Sequence, residues 1–195
     1  MTLAAKKQPG FGPAAASRLV VSWASCPSPI GDILIVADDS GLRQCQLPGL
    51  FAAREDWSGT EIASAILAKT AAQLDAYFAG ELTRFDLPLA PTGTAFQLRV
   101  WWALAEIPYA RTESYGSVAT RVGNPRASRA VGMANNKNPL AIVFPCHRVI
   151  GSNGRLVGYG GGLGMKDWLL KHEAKVATGG GNGQIYQTCL PTTSP

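Results

Sequence analysis

Three side chains late in the chain have the types needed for nucleophilic chemistry: Cys146, His147 and Glu173. Cys146 sits in Asn138-Pro139-Leu140-Ala141-Ile142-Val143-Phe144-Pro145-Cys146-His147-Arg148-Val149-Ile150-Gly151, where an apolar run leads into Pro-Cys-His-Arg and then resumes. Thiolate is the reactive form of cysteine, and a free thiol has a pKa of about 8.5. A neighbouring base that accepts the proton turns the thiol into a nucleophile. His147 is the candidate base, with a free pKa of about 6.5. The apolar run predicts that Pro145 presents Cys146 at the end of a strand-like piece. Successive side chains of a strand point to opposite faces, so contact between His147 and Cys146 needs a turn or a bridging water. The imidazole also needs an acceptor on its other nitrogen, and Glu173, on an expected last helix over about Met165 to Lys175, is the candidate. A Cys-His neighbour pair taken alone is more often structural than catalytic.

Several elements must position this group. Ala95 to Ile107 reads as a helix with Phe96, Val100, Ala103, Leu104 and Ile107 on one face, stopped by Pro108. Ser114 is placed to cap a short helix that Gly123 ends in left-handed geometry. Asn124-Pro125 then restarts a helix as cap and first turn, running about Pro125 to Asn135. Two short helices across a tight turn form a helix-turn-helix candidate, a pattern that many helix pairs without DNA share. The second helix is rich in small residues (Ala127, Ser128, Ala130, Gly132, Ala134), with Arg126 and Arg129 near its start. Such a helix suits close packing on another helix, or entry into a groove of DNA.

Upstream, strands are expected at about Leu19 to Ala24, Ile33 to Ala37 and Leu42 to Gln46, a helix at Thr60 to Phe78, and an extended run at Phe85 to Leu89. The fold class is therefore α/β (α+β), divided as an arm over 1–16, an α/β unit over 17–92, a mainly helical catalytic unit over 93–176 and a tail over 177–195. The Gly- and Pro-rich arm and tail have compositions expected to be flexible.

Charge follows the same division. The net charge is +5, but residues before Gly93 carry seven Lys/Arg against nine Asp/Glu, whereas Gly93 to Val176 carry eleven against four. A basic second unit suggests an anionic partner, nucleic acid first; a solvated basic face with no partner is the plainer alternative. Cys26 and Cys45 read as buried apolar fillers and Cys189 as inert. With two histidines, His147 and His172, and no Cys-x-x-Cys pair, neither metal nor cofactor is expected. No stretch approaches the roughly 18–20 apolar residues of a membrane span, and the start lacks a signal-peptide core, so a cytoplasmic protein without membrane attachment is expected.

Pro145-Cys146-His147-Arg148-Val149 resembles the active-site motif of the O6-alkylguanine-DNA alkyltransferases. The resemblance extends, in order and spacing, through Ser114-Tyr115-Gly116, Gly123-Asn124-Pro125, Ser128-Arg129-Ala130-Val131-Gly132, Asn138-Pro139, Gly158-Tyr159-Gly160-Gly161-Gly162 and Trp168-Leu169-Leu170-Lys171-His172-Glu173. It is strong over Gly93 to Glu173. It is weaker in the first unit, through Ser28-Pro29-Ile30-Gly31 and Tyr77-Phe78-Ala79-Gly80.

The resemblance implies a ribonuclease H-like first domain and a single-turnover repair reaction, in which Cys146 accepts the alkyl group of O6-alkylguanine, and of O4-alkylthymine, irreversibly. It implies that His147 deprotonates the thiol through a water, that Glu173 holds His147, and that Asn138 braces the turn around Cys146. Tyr115 would turn a phosphate and donate to the departing guanine. Arg129, with the small Ser128 and Ala130 beside it, would enter the minor groove of double-stranded DNA and fill the gap left by a flipped base. Val149, Tyr159 and Gly160 would line the base pocket, His172 would lie on the surface, and the protein would act as a monomer. Ala141 stands where mammalian relatives have Pro, and Gly160 where some members have Ser; both bear on the range of alkyl groups, with methyl expected to be handled better than benzyl. A non-catalytic damage-binding relative would lack Cys146. A helix-turn-helix regulator would not need Cys146, His147 and Glu173 together, and a cysteine hydrolase would need an oxyanion hole.

Overall fold

The computed structural model describes residues 19–50, 57–58 and 64–180. The expected arm over 1–16 and the tail beyond residue 180, with Cys189, lie outside them.

Alternating apolar residues and well-placed turns build the first unit. β1 (Leu19–Val20) pairs in parallel with β5 (Trp57–Ser58). β2 (Ser22–Cys26), β3 (Ile33–Asp38) and β4 (Gly41–Gln46) form a three-stranded antiparallel sheet in that order. The first expected strand is thus two strands, divided at Val21. In β3, Ile33, Ile35, Val36 and Ala37 are all fully buried, as suits a central strand. The tight connection to β4 is set by Asp38, whose Oδ1 accepts from Ser40 N at 2.9 Å. Gly41 follows with φ +144°, and a Cβ there would sit 2.5 Å from Pro88 O, so only glycine fits.

That close approach marks where the 82–90 segment crosses the sheet. Leu42 N donates to Pro88 O at 2.7 Å and Ala90 N to Leu42 O at 2.9 Å. The expected extended run Phe85 to Leu89 therefore makes one bridge, Leu42↔Leu89, and no strand. Pro88 and Pro91 have no N–H to continue a ladder, and Asp86 is tied by its backbone to the side chain of Gln73 instead.

α1 (Ala65–Ala79) is capped by Ser64, whose side chain accepts from Leu67 N at 3.1 Å, and ends at Gly80 with φ +81°. The expected start at Thr60 lies outside the described residues. Leu67, Ala71, Leu74 and Phe78 recur at 3–4 spacing and are buried, with Tyr77 beside them.

The second unit opens with α2 (Ala95–Ala105), begun by a reciprocal Thr94/Gln97 capping box. β6 (Glu113–Ser114) leads into α3 (Tyr115–Arg121), and α4 (Ser128–Asn136) follows. Ser114 caps α3 by accepting from Ser117 N at 3.0 Å, and Gly123 has φ +81°, both as expected. The start of α4 is not. Asn124 O accepts from Ala127 N at 2.9 Å, closing an isolated turn, and the helical ladder begins only with Val131 N to Ala127 O, three residues later than expected. Ala127 caps α4 without a side-chain bond. Trp101 of α2 is buried and donates from Nε1 to Ala134 O at 2.9 Å, fastening the helix pair to α2.

β7 (Val149–Ile150) pairs in parallel with β6, and α5 (Gly162–Ala177) is the last described element, three residues earlier at its start than expected. The two units are joined through β4: Cys45 N donates to Pro139 O at 2.8 Å and Ala141 N to Cys45 O at 3.0 Å. The edge of the first sheet therefore fixes the segment that leads to Cys146. Among the described residues no helix is long and apolar enough to cross a membrane.

Candidate active site

The segment before Cys146 is a turn, not the expected strand. Asn138 organises it from both sides: Oδ1 accepts from Leu140 N at 3.0 Å, and Nδ2 donates to Phe144 O at 2.8 Å. Phe144 N closes the loop on Leu140 O at 2.7 Å, and Ile142 is forced to φ +72°. A β-branched residue in this region costs on the order of 1–3 kcal/mol, so the hydrogen bonds around it must over-determine the turn. The proline ring of Pro145 fixes φ at −77°; with ψ 65° and Cys146 N donating to Phe144 O at 2.7 Å, this is an inverse γ-turn. Cys146–Arg148 then forms a single 3₁₀ turn. Successive side chains in a 3₁₀ turn are about 120° apart rather than opposed, which removes the difficulty that a strand posed for Cys146 and His147.

Glu173 projects from the fourth turn of α5 to meet this turn. Its Oε1 lies 2.7 Å from His147 Nε2, and both side chains are fully buried. Arg148 donates from Nε to Oε2 at 2.9 Å and from Nη2 to Oε1 at 2.9 Å, and its Nη1 reaches Ile107 O at 2.7 Å. Tyr77 OH donates to Oε1 at 2.9 Å and Ala110 N to Oε2 at 3.0 Å. Burial alone would raise the pKa of Glu173, but its hydrogen bonds and charge pairing with His147 and Arg148 outweigh this and bring it down to about 2. Burial depresses the pKa of His147 against the pull of Glu173, with Arg148 and Lys166 adding to the depression. A neutral His147 whose Nε2–H faces Glu173 carries its lone pair on Nδ1, which is buried and has no hydrogen-bond partner among the described residues.

Cys146 is 6% exposed, and burial pushes its thiol pKa up. The Asn138 side chain, the Lys166 charge and nearby backbone groups pull it back towards the thiolate. Lys166 is itself fully buried, donating to Val149 O at 2.6 Å and Val157 O at 2.9 Å, with Nζ 5.9 Å from the ring centroids of both Tyr115 and Tyr159. Tyr115 OH also donates to Val157 O, at 3.2 Å. Tyr115, Val149 and Tyr159 are therefore gathered around one buried cation close to the thiol. Gly160 is exposed, and with Asn138 and Ala141 it lines a cavity of about 530 Å³ whose lining does not include Cys146. Arg129 is exposed near the start of α4, flanked by half-buried Ser128 and Ala130. Among the described residues no three His, Cys, Asp or Glu converge as a metal site.

One expectation is corrected. His172 is 4% exposed rather than on the surface: its Nε2 is 2.9 Å from Tyr77 O, and its ring stacks on Trp168 at 5.2 Å between centroids. Leu169, His172 and Glu173 share one face of α5 by their 3–4 spacing. Sequence reasoning also missed Arg148, Lys166 and Tyr77. Arg148 adjoins the Cys-His pair, and the charge of such a neighbour was a usable signal. Tyr77 lies 96 residues from Glu173 and shows only as part of an apolar helix face.

Fold and site together define a helix-turn-helix protein with a buried cysteine beside a histidine–carboxylate relay. Residues 95–175 match the DNA-binding domain of 6-O-methylguanine DNA methyltransferase, and residues 21–91 match its ribonuclease-like domain. The methylated-DNA–protein-cysteine methyltransferase of Methanosarcina acetivorans is 48% identical over 160 residues, covering 77% of this chain and 97% of that protein. The protein of the same name from Mycobacterium leprae is 50% identical over 151 residues, covering 76% and 90%. The crystal structure of Mycobacterium tuberculosis OGT in complex with DNA superposes with a TM-score of 0.73 at 44% identity, covering 81% of this chain and 94% of that one. The chain belongs to the methylated-DNA–protein-cysteine methyltransferase family.

Proposed function

We propose that this protein reverses DNA alkylation directly, moving the alkyl group of O6-alkylguanine onto Sγ of Cys146 and keeping it there. The observation that carries this reading is that Glu173 holds Nε2 of His147 and leaves its buried Nδ1 without a partner among the described residues. A base in that tautomer takes the thiol proton, directly or through one water, while Glu173 stabilises the imidazolium that results. The sulfur then forms a bond to the alkyl carbon, the bond from that carbon to O6 breaks, and guanine leaves with the electron pair. Tyr115 supplies a hydrogen bond to the departing base, and Asn138 holds the Cys146 turn in place. The thioether product has no group that water displaces readily, so each molecule acts once.

An O6-alkyl carbon is shielded within stacked DNA, and the nucleotide must be flipped out for Cys146 to reach it. Arg129 is suited to fill the vacated stack from the minor groove, and the small Ser128 and Ala130 let α4 lie close to the duplex. Val149, Tyr159 and Gly160 receive the flipped base. O4-alkylthymine presents the same oxygen–alkyl bond and is a second substrate on this reading. The protein acts as a monomer in the cytoplasm.

The test is intact and peptide mass spectrometry after incubation with a duplex containing O6-methylguanine. One methyl group on the Cys146 peptide at a one-to-one limit, absent in Cys146→Ser, is the expected result. Unmodified protein that still binds the duplex tightly would mean damage recognition without repair, and release of a product over many turnovers would point to hydrolysis.

A further inference from the structure

Glu173 receives more donors than orienting a histidine requires. His147 Nε2, Tyr77 OH and Arg148 Nη2 converge on Oε1 at 2.7, 2.9 and 2.9 Å, while Arg148 Nε and Ala110 N occupy Oε2 at 2.9 and 3.0 Å. A carboxylate offers about four lone-pair sites, so its capacity is full and His147 shares its acceptor oxygen. One of the sharing groups comes from the other unit. Tyr77 stands on α1, and its fully buried ring is held among Phe78, Phe85, Tyr109 and His172 at centroid distances of 5.2, 5.7, 6.1 and 5.3 Å.

We infer that Tyr77 is a positioning residue for alkyl transfer: its hydroxyl, delivered by the first unit, fixes Glu173 and limits how much of the carboxylate's charge reaches His147, so that Cys146 is held as a thiol in the resting protein. This rests on Cys146 being the alkyl acceptor.

The charged and titratable surroundings give the direction of the effect. His147 faces Glu173 and Lys166 from α5, with Cys146 and Arg148 on its own turn. Arg148 and Lys166 oppose an imidazolium, and Glu173 favours it. Glu173 in turn faces Tyr77 from α1 and Tyr109 from the segment after α2, besides His147 and Arg148. Tyr77 faces Arg148, Tyr109 and His172 as well as Glu173. A donor on Oε1 disperses the negative charge that Nε2–H would otherwise see. Removing the Tyr77 oxygen changes no formal charge, and it returns that potential to His147. The pair of thiolate and imidazolium then forms at lower pH.

Methyl iodide reports this without DNA. Sulfur gains a bond to the methyl carbon, iodide leaves with its electron pair, and the thiol proton passes to His147. Methylation of the Cys146 peptide is followed by mass spectrometry across a pH series in the full chain, for the wild type, Tyr77→Phe and Tyr109→Phe. Tyr109 OH is buried near Glu173 but has no hydrogen-bond partner among the described residues, which makes it the matched control. The midpoint of the profile is expected to fall by about half a pH unit in Tyr77→Phe, about threefold in thiolate below the midpoint, and to stay put in Tyr109→Phe. A Tyr77→Phe profile that overlays the wild type, moves to higher pH, or is matched by Tyr109→Phe would overturn the inference. The midpoint is read on folded protein, so a lowered melting temperature does not obscure it. Failure of the wild type to take a methyl group from an O6-methylguanine duplex would refute the acceptor assignment separately, whatever the methyl iodide profiles show.

Discussion

Oε1 of Glu173 lies 2.7 Å from Nε2 of His147, and neither side chain touches solvent. The same carboxylate is the counter-charge of Arg148, whose side chain is 8% exposed. Removing the negative charge therefore has two effects at once. In Glu173→Gln the guanidinium keeps Ile107 O but is left buried without a counter-charge, a change that costs about 3–5 kcal/mol. For a chain of this size that is a fall of roughly 6 to 20 °C in melting temperature. The imidazolium also loses its stabiliser, and methyl transfer is expected to slow by about 100-fold, within the range of general-base effects. Calorimetry and single-turnover transfer to Cys146 measure the two separately; an unchanged melting temperature would show that Arg148 finds another partner.

Acid should unfold the protein through the same pair. Glu173 has a folded pKa of about 2, below its ordinary value of 4.5, so its stabilisation is complete above the unfolded pKa and is lost as pH falls through the folded one. The pKa of His147 is depressed by burial, so the unfolded chain binds its proton first, and stability drops as pH falls below about 6.5. The signs agree. Urea midpoints are expected to decline from about pH 6.5 downwards and to fall further below about pH 4.5, with the lower step reduced in Glu173→Gln. A midpoint constant between pH 7 and pH 3 would contradict both shifts.

The convergence of the candidate reacting residues was legible in the sequence because their grouping is largely local. Cys146 and His147 are adjacent, and Glu173 lies on a helix whose apolar spacing is clear. Ser114 and Gly123 were legible because capping and left-handed geometry each demand few residue types. The turn from Asn138 to Phe144 was not, because its apolar run is also a strand pattern, and what bends it is a pair of bonds from the Asn138 side chain. The false start of α4 has a similar origin: Asn124-Pro125 has the composition of a helix entry, but one bond from Ala127 N to Asn124 O closes it as a turn. Tyr77 was hidden for a different reason, since its role depends on how two units dock and nothing within α1 encodes that.

The range of alkyl groups should be narrow. Ala141 is buried and its N–H is committed to Cys45 O at 3.0 Å, an anchor that a proline at this position would lack. Gly160 is exposed, and a Cβ there would come within 3.3 Å of a Leu50 methyl carbon. Both residues offer little apolar surface to a bulky group, and burial of such surface is worth about 25 cal/mol per Å². Methyl is small enough not to need it, whereas a benzyl ring does. Transfer from duplex O6-methylguanine is expected to outpace transfer from duplex O6-benzylguanine, measured by quenched-flow on matched sequences. Comparable rates would show that Ala141 and Gly160 do not limit the site.

On the proposed reading, Arg129 separates contact with DNA from chemistry at Cys146. It is exposed near the start of α4, beside the half-buried Ser128 and Ala130, and none of these is bonded to the Cys146 relay among the described contacts. Flipping a nucleotide costs a few kcal/mol of stacking and pairing, part of which an inserted side chain replaces. Arg129→Ala should therefore slow repair of duplex O6-methylguanine by at least about tenfold, an effect of about 1.4 kcal/mol, and leave transfer from the free base O6-benzylguanine nearly unchanged. Arg126 is also exposed but lies in the turn before α4, and on the same reading it would meet a phosphate rather than enter the stack. Its replacement by Ala should lower the salt dependence of binding to undamaged duplex by about one unit of slope, as expected for one lost phosphate contact. Equal losses on duplex and free base in Arg129→Ala would remove Arg129 from the stack and return α4 to a purely positioning role.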